Sequence, residues 1–275
     1  MISSVAIQGV KGSFHHIVSQ QYFKKDITVK ECLTFENAVE CLLNNHSDAV
    51  IMALENSIAG SIIPNYALID AHNLIIVAEH YLDVQHHLMA LPNQSINDIE
   101  EVYSHPMALL QCKAFFKDYP HIKLIEDKDT AEVAKRIQEK QLKNIAAIAS
   151  KLASDIFELD ILAESIQTIP HNETRFVVVK KPNTSNNSKN IDKASLKFEL
   201  DHKRGSLATI LNVLSDCKLN LTKIQSLPKI DTPWKYAFFV DVCFESYNDY
   251  EKAIAIVKLM AEEFKVLGEY KNAKR

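Results

Sequence analysis

Ile145-Ala146-Ala147-Ile148-Ala149-Ser150-Lys151-Leu152-Ala153-Ser154-Asp155-Ile156-Phe157 changes character at one hydroxyl residue. The five small apolar residues read as a buried strand. Ser150 stands where a helix needs a side-chain acceptor for its first free N–H groups, and 151–157 supplies the helix. The same rhythm recurs along the first two thirds of the chain: 5–8 leads into 13–23, 48–54 into 64–72, and 122–126 into 129–140. Strand and helix in alternation predict α/β layering with largely parallel strands. The run 74–91 is read as a long extended crossover joining two lobes, and 174–181 as a returning last strand, which leaves a cleft between the lobes.

Pro182-Asn183-Thr184-Ser185-Asn186-Asn187-Ser188-Lys189-Asn190 has no apolar member besides its proline, so it has no face to bury and reads as a linker. It sets the boundaries: a first domain at 1–182, a linker at 183–193 and a second domain at 194–275. Beyond it the pattern is strand 194–200, helix 205–217, strands 219–227 and 235–244, helix 248–264 and strand 266–270. Leu207, Ile210, Leu211 and Leu214 share one face of the first of these helices, and Tyr250, Ile254, Val257, Ala261 and Phe264 one face of the second. The order βαββαβ is that of an α+β ferredoxin-like sandwich.

The 275 residues, 47% hydrophobic, suffice for two domains without disulfide or metal staples. Only five are glycine, where average usage would give roughly 19. No pair of them fits a dinucleotide fingerprint or a P-loop, which disfavours nicotinamide dehydrogenases and P-loop ATPases. The net charge of −4 is uneven: residues 1–182 hold 16 Lys and Arg against 23 Asp and Glu, the remainder 15 against 12. Neither part has a basic run interleaved with aromatics, so no nucleic acid partner is expected. The five cysteines form no Cys-x-x-Cys and read as packed, reduced thiols. With neither a signal sequence nor a long apolar stretch, the expectation is a soluble cytoplasmic protein without membrane contact. The histidines lack metal-site spacing, and Asn56-Ser57-Ile58-Ala59-Gly60 is not a hydrolase nucleophile elbow.

Small hydroxyl or amide residues recur where strands give way to helices, at Ser13, Asn56-Ser57, Ser104-His105-Pro106, Asp129-Thr130 and Ser150. Each alone is an ordinary cap. Several on one end of a parallel sheet predict an anion site built on helix N-termini, which suits a domain whose own charge does not attract anions. Asn172-Glu173-Thr174-Arg175-Phe176 adds a neutral proton donor, Thr174, next in sequence to a bidentate carboxylate clamp, Arg175.

In order, Gly9-x-x-Gly12-Ser13-Phe14, Glu55-Asn56-Ser57-x-x-Gly60, Ser104-His105-Pro106-x-Ala108-Leu109-x-Gln111-Cys112, Asp129-Thr130-Ala131, Ala146 to Ser150 and Asn172-x-Thr174-Arg175-Phe176 resemble the prephenate dehydratases. Gly205-Ser206-Leu207-Ala208 and Asn220-Leu221-Thr222-Lys223-Ile224-Gln225-Ser226-Leu227-Pro228 resemble the ACT regulatory domain that follows in that family. The resemblance implies a two-lobed, periplasmic-binding-protein-like catalytic domain with its site in the cleft. It implies a lyase that converts prephenate to phenylpyruvate in phenylalanine biosynthesis, with no metal or organic cofactor. It makes Thr174 the residue that protonates or hydrogen-bonds the departing hydroxyl, and Asn56, Ser57, Ser104, Gln111, Ser150, Asn172, Arg175 and Phe176 the substrate-binding set. It makes Gly205, Ser206, Leu207, Ala208, Asn220, Leu221, Gln225 and Ser226 contacts for L-phenylalanine as allosteric effector, in a homodimer or homotetramer.

Four positions depart from the family pattern. Val10 replaces a proline, Met107 replaces a glutamine after Ser-His-Pro, and Gln225-Ser226-Leu227-Pro228 replaces Glu-Ser-Arg-Pro. The last removes one acidic and one basic group from the effector segment, which makes feedback inhibition less secure than catalysis. The alternatives are an arogenate dehydratase, a catalytically silent amino-acid sensor, and a secreted solute-binding protein, the last disfavoured by the missing signal sequence.

Overall fold

A computed structural model describes residues 2–23, 27–182, 190–201, 203–229 and 235–274. Along the chain run β1 (Ser4–Gln8), α1 (Phe14–Phe23), β2 (Thr28–Cys32), α2 (Phe35–Leu43), β3 (Ala49–Asn56), β4 (Gly60–Ser61), α3 (Ile63–Ala71), β5 (Ile75–Asp83) and β6 (His87–Ala90). Then come β7 (Glu101–Ser104), α4 (Pro106–Cys112), β8 (Lys123–Glu126), α5 (Ala131–Lys140), β9 (Ile145–Ala149), α6 (Lys151–Phe157), β10 (Asp160–Ala163) and β11 (Glu173–Lys180). The remainder is β12 (Lys193–Glu199), α7 (Ser206–Asp216), β13 (Asn220–Pro228), β14 (Tyr236–Cys243), α8 (Tyr247–Met260) and β15 (Glu263–Tyr270). The chain divides into two compact units, Met1–Gly60 with Tyr81–Phe176, and Ser61–His80 with Val177–Arg275.

The first unit is α/β. In one sheet β1 lies between β2 and β3, all parallel, and the start of β11 borders β3. Residues 49–54 are buried without interruption, as a central strand covered on both faces requires. The other sheet has the order β10-β6-β9-β7-β8, with β7 parallel to β8 and β9, and β6 antiparallel to β9 and β10. Its core is Leu88, Val102, Ala146 and Ile148 beneath Leu109 and Cys112 of α4. Burial pushes the Cys112 thiol up to about 12, so it packs as an inert hydrophobe. The run 74–91, read as one crossover, is two strands, β5 and β6, parted at 84–86.

In the second unit β12, α7, β13, β14, α8 and β15 follow one another, and the sheet order is β13-β14-β12-β15, all neighbours antiparallel. Ala194, Leu196 and Phe198 of β12 join Ile210, Leu214, Tyr250 and Val257 in the core. The alternate residues, Lys193, Ser195, Lys197 and Glu199, are buried too. Buried charges must be paired; Glu199 meets Lys229 at 2.6 Å, while the two lysines reach residues outside 194–275: Lys193 Nζ lies 2.7 Å from Glu79, and Lys197 Nζ 2.7 Å from Asp70. Ser195 is bonded to Asp241 and Tyr270. The other face of this sheet is therefore covered by α3 and the start of β5, which the sequence reading placed within the first domain. Lys193, read as the linker's last residue, is the first residue of β12, and Asp192 is tied in by its carbonyl to Phe244 N–H. The linker positions 183–189 lie outside the described residues.

Gly268 sets the join between β15 and β5. It pairs with Ile76, and a methyl group there would sit 2.1 Å from the Ile76 carbonyl oxygen, so only glycine allows this approach. The last helix ends at Met260, four residues short of the predicted end, because Phe264 belongs to β15. Among the described residues no helix is long and apolar enough to cross a membrane.

Candidate active site

Asn56 closes β3, and its Oδ1 accepts from the Ile58 N–H at 3.0 Å and the Ala59 N–H at 2.8 Å. A side-chain oxygen held by two backbone donors leaves that amide one orientation. Its Nδ2 then donates to Asn172 Oδ1 at 2.7 Å and to Thr174 Oγ1 at 2.9 Å. With its oxygen so engaged, Asn172 turns its Nδ2 to Gln111 Oε1 at 2.9 Å. The same Oε1 lies 2.9 Å from His86 Nε2.

The backbone holds these groups in place. Ser57 N–H donates to the Glu173 carbonyl at 2.8 Å and Glu173 N–H to Ser57 Oγ at 3.0 Å, which fastens the turn after β3 to the start of β11. Asn172 is fully buried, and its carbonyl accepts from Val84 N–H at 2.6 Å. The Gln111 carbonyl accepts from Thr168 N–H at 2.8 Å. Asn56, Asn172, Gln111 and Thr174 thus form one directed chain.

The direction decides what the cluster offers to a ligand. Thr174 Oγ1 accepts from Asn56, so the hydroxyl's own hydrogen is left to donate. Gln111 Oε1 is taken by two neighbours, and its NH2 has no partner among the described residues. Both remaining groups are donors, which fits an anion and needs no cationic side chain.

Other expected site residues are placed differently. Ser104 is fully buried and donates to the Ile148 carbonyl at 2.7 Å. Ser150 donates to the Gly12 carbonyl and caps α6 by accepting from Ala153 N–H at 3.2 Å. The expected convergence of free helix N-termini is largely absent because each cap is filled internally: Ser13 serves α1, Asp129 serves α5, and His105 serves α4. Burial raises the Asp129 carboxyl, with the backbone N–H groups of Glu132 and Ala131 opposing. The pairing of Thr174 with Arg175 is also corrected. Neighbours in a strand point to opposite faces, so Thr174 shares its face with Phe176, whose ring meets His15 edge-on at 5.0 Å. Arg175 is buried on the other face.

Sequence motifs did not mark His86. It is buried between β5 and β6, its backbone N–H donates to Gln167 Oε1 at 3.0 Å, and its ring meets Phe14 edge-on at 5.5 Å. Burial lowers its pKa to about 4, against the opposing pull of the Gln111 hydrogen bond, so the ring is neutral near pH 7.

The expected effector residues lie in the second unit. Gly205 caps α7 at φ +90°, Ser206 Oγ donates to the Lys203 carbonyl, and Leu207 packs on the core while Ala208 lies in the first turn. Asn220 and Leu221 open β13, and Gln225 and Ser226 lie further along it. A separate cavity of about 440 Å³ in the first unit, lined by Gly9, Glu31, Cys32, Lys135 and Arg136 among others, contains none of the Thr174 cluster. Among the described residues no group of three or more His, Cys, Asp or Glu is placed to hold a metal.

The family model for prephenate dehydratase matches residues 5–184. A bifunctional chorismate mutase/prephenate dehydratase of Buchnera aphidicola subsp. Acyrthosiphon pisum is 33% identical over 272 residues, 97% of this chain and 70% of that protein. An Arabidopsis thaliana protein, arogenate dehydratase/prephenate dehydratase 2, is 33% identical over 276 residues, 97% of this chain and 72% of its own. The fold matches that of prephenate dehydratase in complex with L-Phe from Arthrobacter aurescens, with a TM-score of 0.89, 24% identity, and 98% and 90% of the two chains covered.

Proposed function

The chain belongs to the prephenate dehydratase family, and on that premise we propose that its first unit converts prephenate to phenylpyruvate through the donors at Thr174 and Gln111. The observation that carries this is the directed chain that leaves the Thr174 hydroxyl and the Gln111 NH2 free to donate. As the ring carboxylate departs as carbon dioxide, its bonding pair moves into the ring and expels the hydroxyl at the opposite carbon. That hydroxyl takes a proton and leaves as water. Aromatisation supplies the driving force, so the protein has to orient a dianion and assist the leaving oxygen. Gln111 NH2 holds a carboxylate. The Thr174 hydroxyl donates to the leaving oxygen, and the bond from Asn56 Nδ2 to Thr174 Oγ1 supports the charge that develops on Thr174 as its proton shifts. Ser57 lies exposed on the turn beside Asn56, and Phe176 backs the site with an apolar wall.

The βαββαβ half of the second unit is read as an ACT domain of ferredoxin-like topology that binds L-phenylalanine and tunes turnover. Its two effector segments are Gly205 to Ala208 at the start of α7 and Asn220 to Pro228 along β13. The family resemblance puts the effector between paired domains of two chains, which favours a homodimer, or a homotetramer built from it.

Turnover of prephenate by the purified protein, with and without phenylalanine, tests both parts. No phenylpyruvate refutes the enzymatic reading, and unchanged rates with no heat of binding at saturating phenylalanine refute the regulatory one. The shared identity with the Arabidopsis protein supports a second reading, arogenate as the preferred substrate, which a side-by-side comparison of kcat/KM decides.

A further inference from the structure

We propose that His86 is a positioning residue for the reaction: its Nε2–H holds Gln111 Oε1, and so turns the Gln111 NH2 toward the bound anion. The assignment follows from hydrogen-bond direction. Asn56 is fixed by two backbone donors, Asn172 by Asn56, and Gln111 by Asn172. Gln111 Oε1 can only accept, so the His86 nitrogen 2.9 Å away must carry the proton. The other ring nitrogen, Nδ1, is buried with no hydrogen-bond partner among the described residues, so the ring is held by Nε2 and by its edge-on contact with Phe14.

Without the second donor Gln111 Oε1 keeps only Asn172, and the glutamine's flexible stem is free to swing its amide away from the site. Orientation is what His86 adds, since it reaches the anion only through Gln111. Loss of that constraint weakens substrate binding more than it slows chemistry at Thr174, so KM changes more than kcat.

This inference rests on the proposed dehydratase reading, and its test has one arm that does not. His86→Leu removes the donor, while His86→Gln places an amide N–H where Nε2 stood. In prephenate assays His86→Leu is expected to raise KM on the order of ten-fold with a smaller change in kcat, and His86→Gln to recover most of it. In a Gln111→Ala background His86→Leu should add nothing, because its effect passes through Gln111. Equal losses in His86→Leu and His86→Gln, or an undiminished KM penalty in the Gln111→Ala background, overturn the proposal. The second arm is ¹⁵N NMR of the unliganded wild-type protein, expected to show His86 neutral and protonated at Nε2. An Nδ1-protonated ring overturns the proposal whether or not prephenate is turned over. Absence of turnover with the Nε2 tautomer present refutes the dehydratase reading and the anion-positioning role with it.

Discussion

Replacing Thr174 by Val removes one oxygen and keeps the side chain's shape. The Thr174 hydroxyl accepts from Asn56 Nδ2 at 2.9 Å, and in the proposed mechanism it also donates to the leaving oxygen. Loss of the first leaves an amide N–H in a largely buried cluster without one of its acceptors, which costs about 1–3 kcal/mol. For a chain of this size that lowers Tm by roughly 3–10 °C. Loss of the second removes proton donation from the transition state, typically 10²- to 10⁴-fold in rate, or about 3–5 kcal/mol of barrier. The catalytic loss therefore exceeds anything the stability loss explains at 25 °C, where a protein with ordinary reserves remains folded. Initial rates of phenylpyruvate formation, set beside thermal unfolding of the same preparation, separate the two. Thr174→Ser, which keeps both hydroxyl tasks, should stay close to the parent. Turnover by Thr174→Val within about threefold of the parent would refute the proton-donor role, and a collapse of Thr174→Ser together with Thr174→Val would point to packing instead.

Three further outcomes follow from buried groups. His15, packed against Phe35 and Phe176, is held by burial at a pKa of about 4 against an ordinary 6.5. The unfolded chain therefore binds the extra proton between those values, and stability is expected to fall by roughly 3 kcal/mol as the pH drops from about 6.5 to 4, with His86 contributing in the same direction. His15→Leu should flatten this dependence, and an unchanged slope in denaturant unfolding across that range would count against it. Lys193→Met leaves Glu79 buried without the cation 2.7 Å away, and should cost about 3–5 kcal/mol, part of which is regained when Glu79→Leu is added. Equal stability of the single and double variants in urea unfolding would show that the pair is not what Lys193 contributes. Gly268→Ala drives a methyl group into the Ile76 carbonyl and should lose about 1–3 kcal/mol or more, read as a lower Tm, whereas a neutral result would mean that β15 and β5 part without cost.

The alternation of strand and helix was legible because each element carries its own period. Ile145 to Ala149 and Lys151 to Phe157 fall where local pattern places them. The partner of 61–80 was not legible. α3 and the start of β5 read as one more piece of the α/β rhythm, and nothing local says that Asp70 and Glu79 will meet Lys197 and Lys193 more than a hundred residues later. The end of α8 was misread because Phe264 continues the apolar spacing of the helix while its hydrogen bonds belong to a strand. At the site, Asn56, Gln111, Asn172 and Thr174 lie in the motifs that carry the family resemblance, and the structure brings the four together. The motifs gave no account of direction, and direction is what makes His86 part of the arrangement. Period two in a strand already separates Arg175 from Thr174 in the sequence.

On the proposed reading, direction also resolves how residues 1–182, with 23 acidic side chains against 16 basic, would present a site for an anion. Helix N-termini looked like the natural source of donors, but Ser13, His105, Asp129 and Ser150 occupy them, and a cap that satisfies a helix removes the donor a ligand would use. The donors come instead from side chains whose oxygens are already satisfied. The turn after β3 fixes Asn56, and each later amide inherits its orientation from the one before, until the donors left over are the Thr174 hydroxyl and the Gln111 NH2. Such donors carry no net charge and incur little desolvation penalty, and their orientation is set before a ligand arrives, which is the condition under which neutral hydrogen bonds stabilise developing negative charge. Arginine or lysine in their place would bind a dianion more tightly in substrate and transition state alike. A hydroxyl aimed at the leaving oxygen favours the transition state selectively, because charge appears on that oxygen only as the bond breaks.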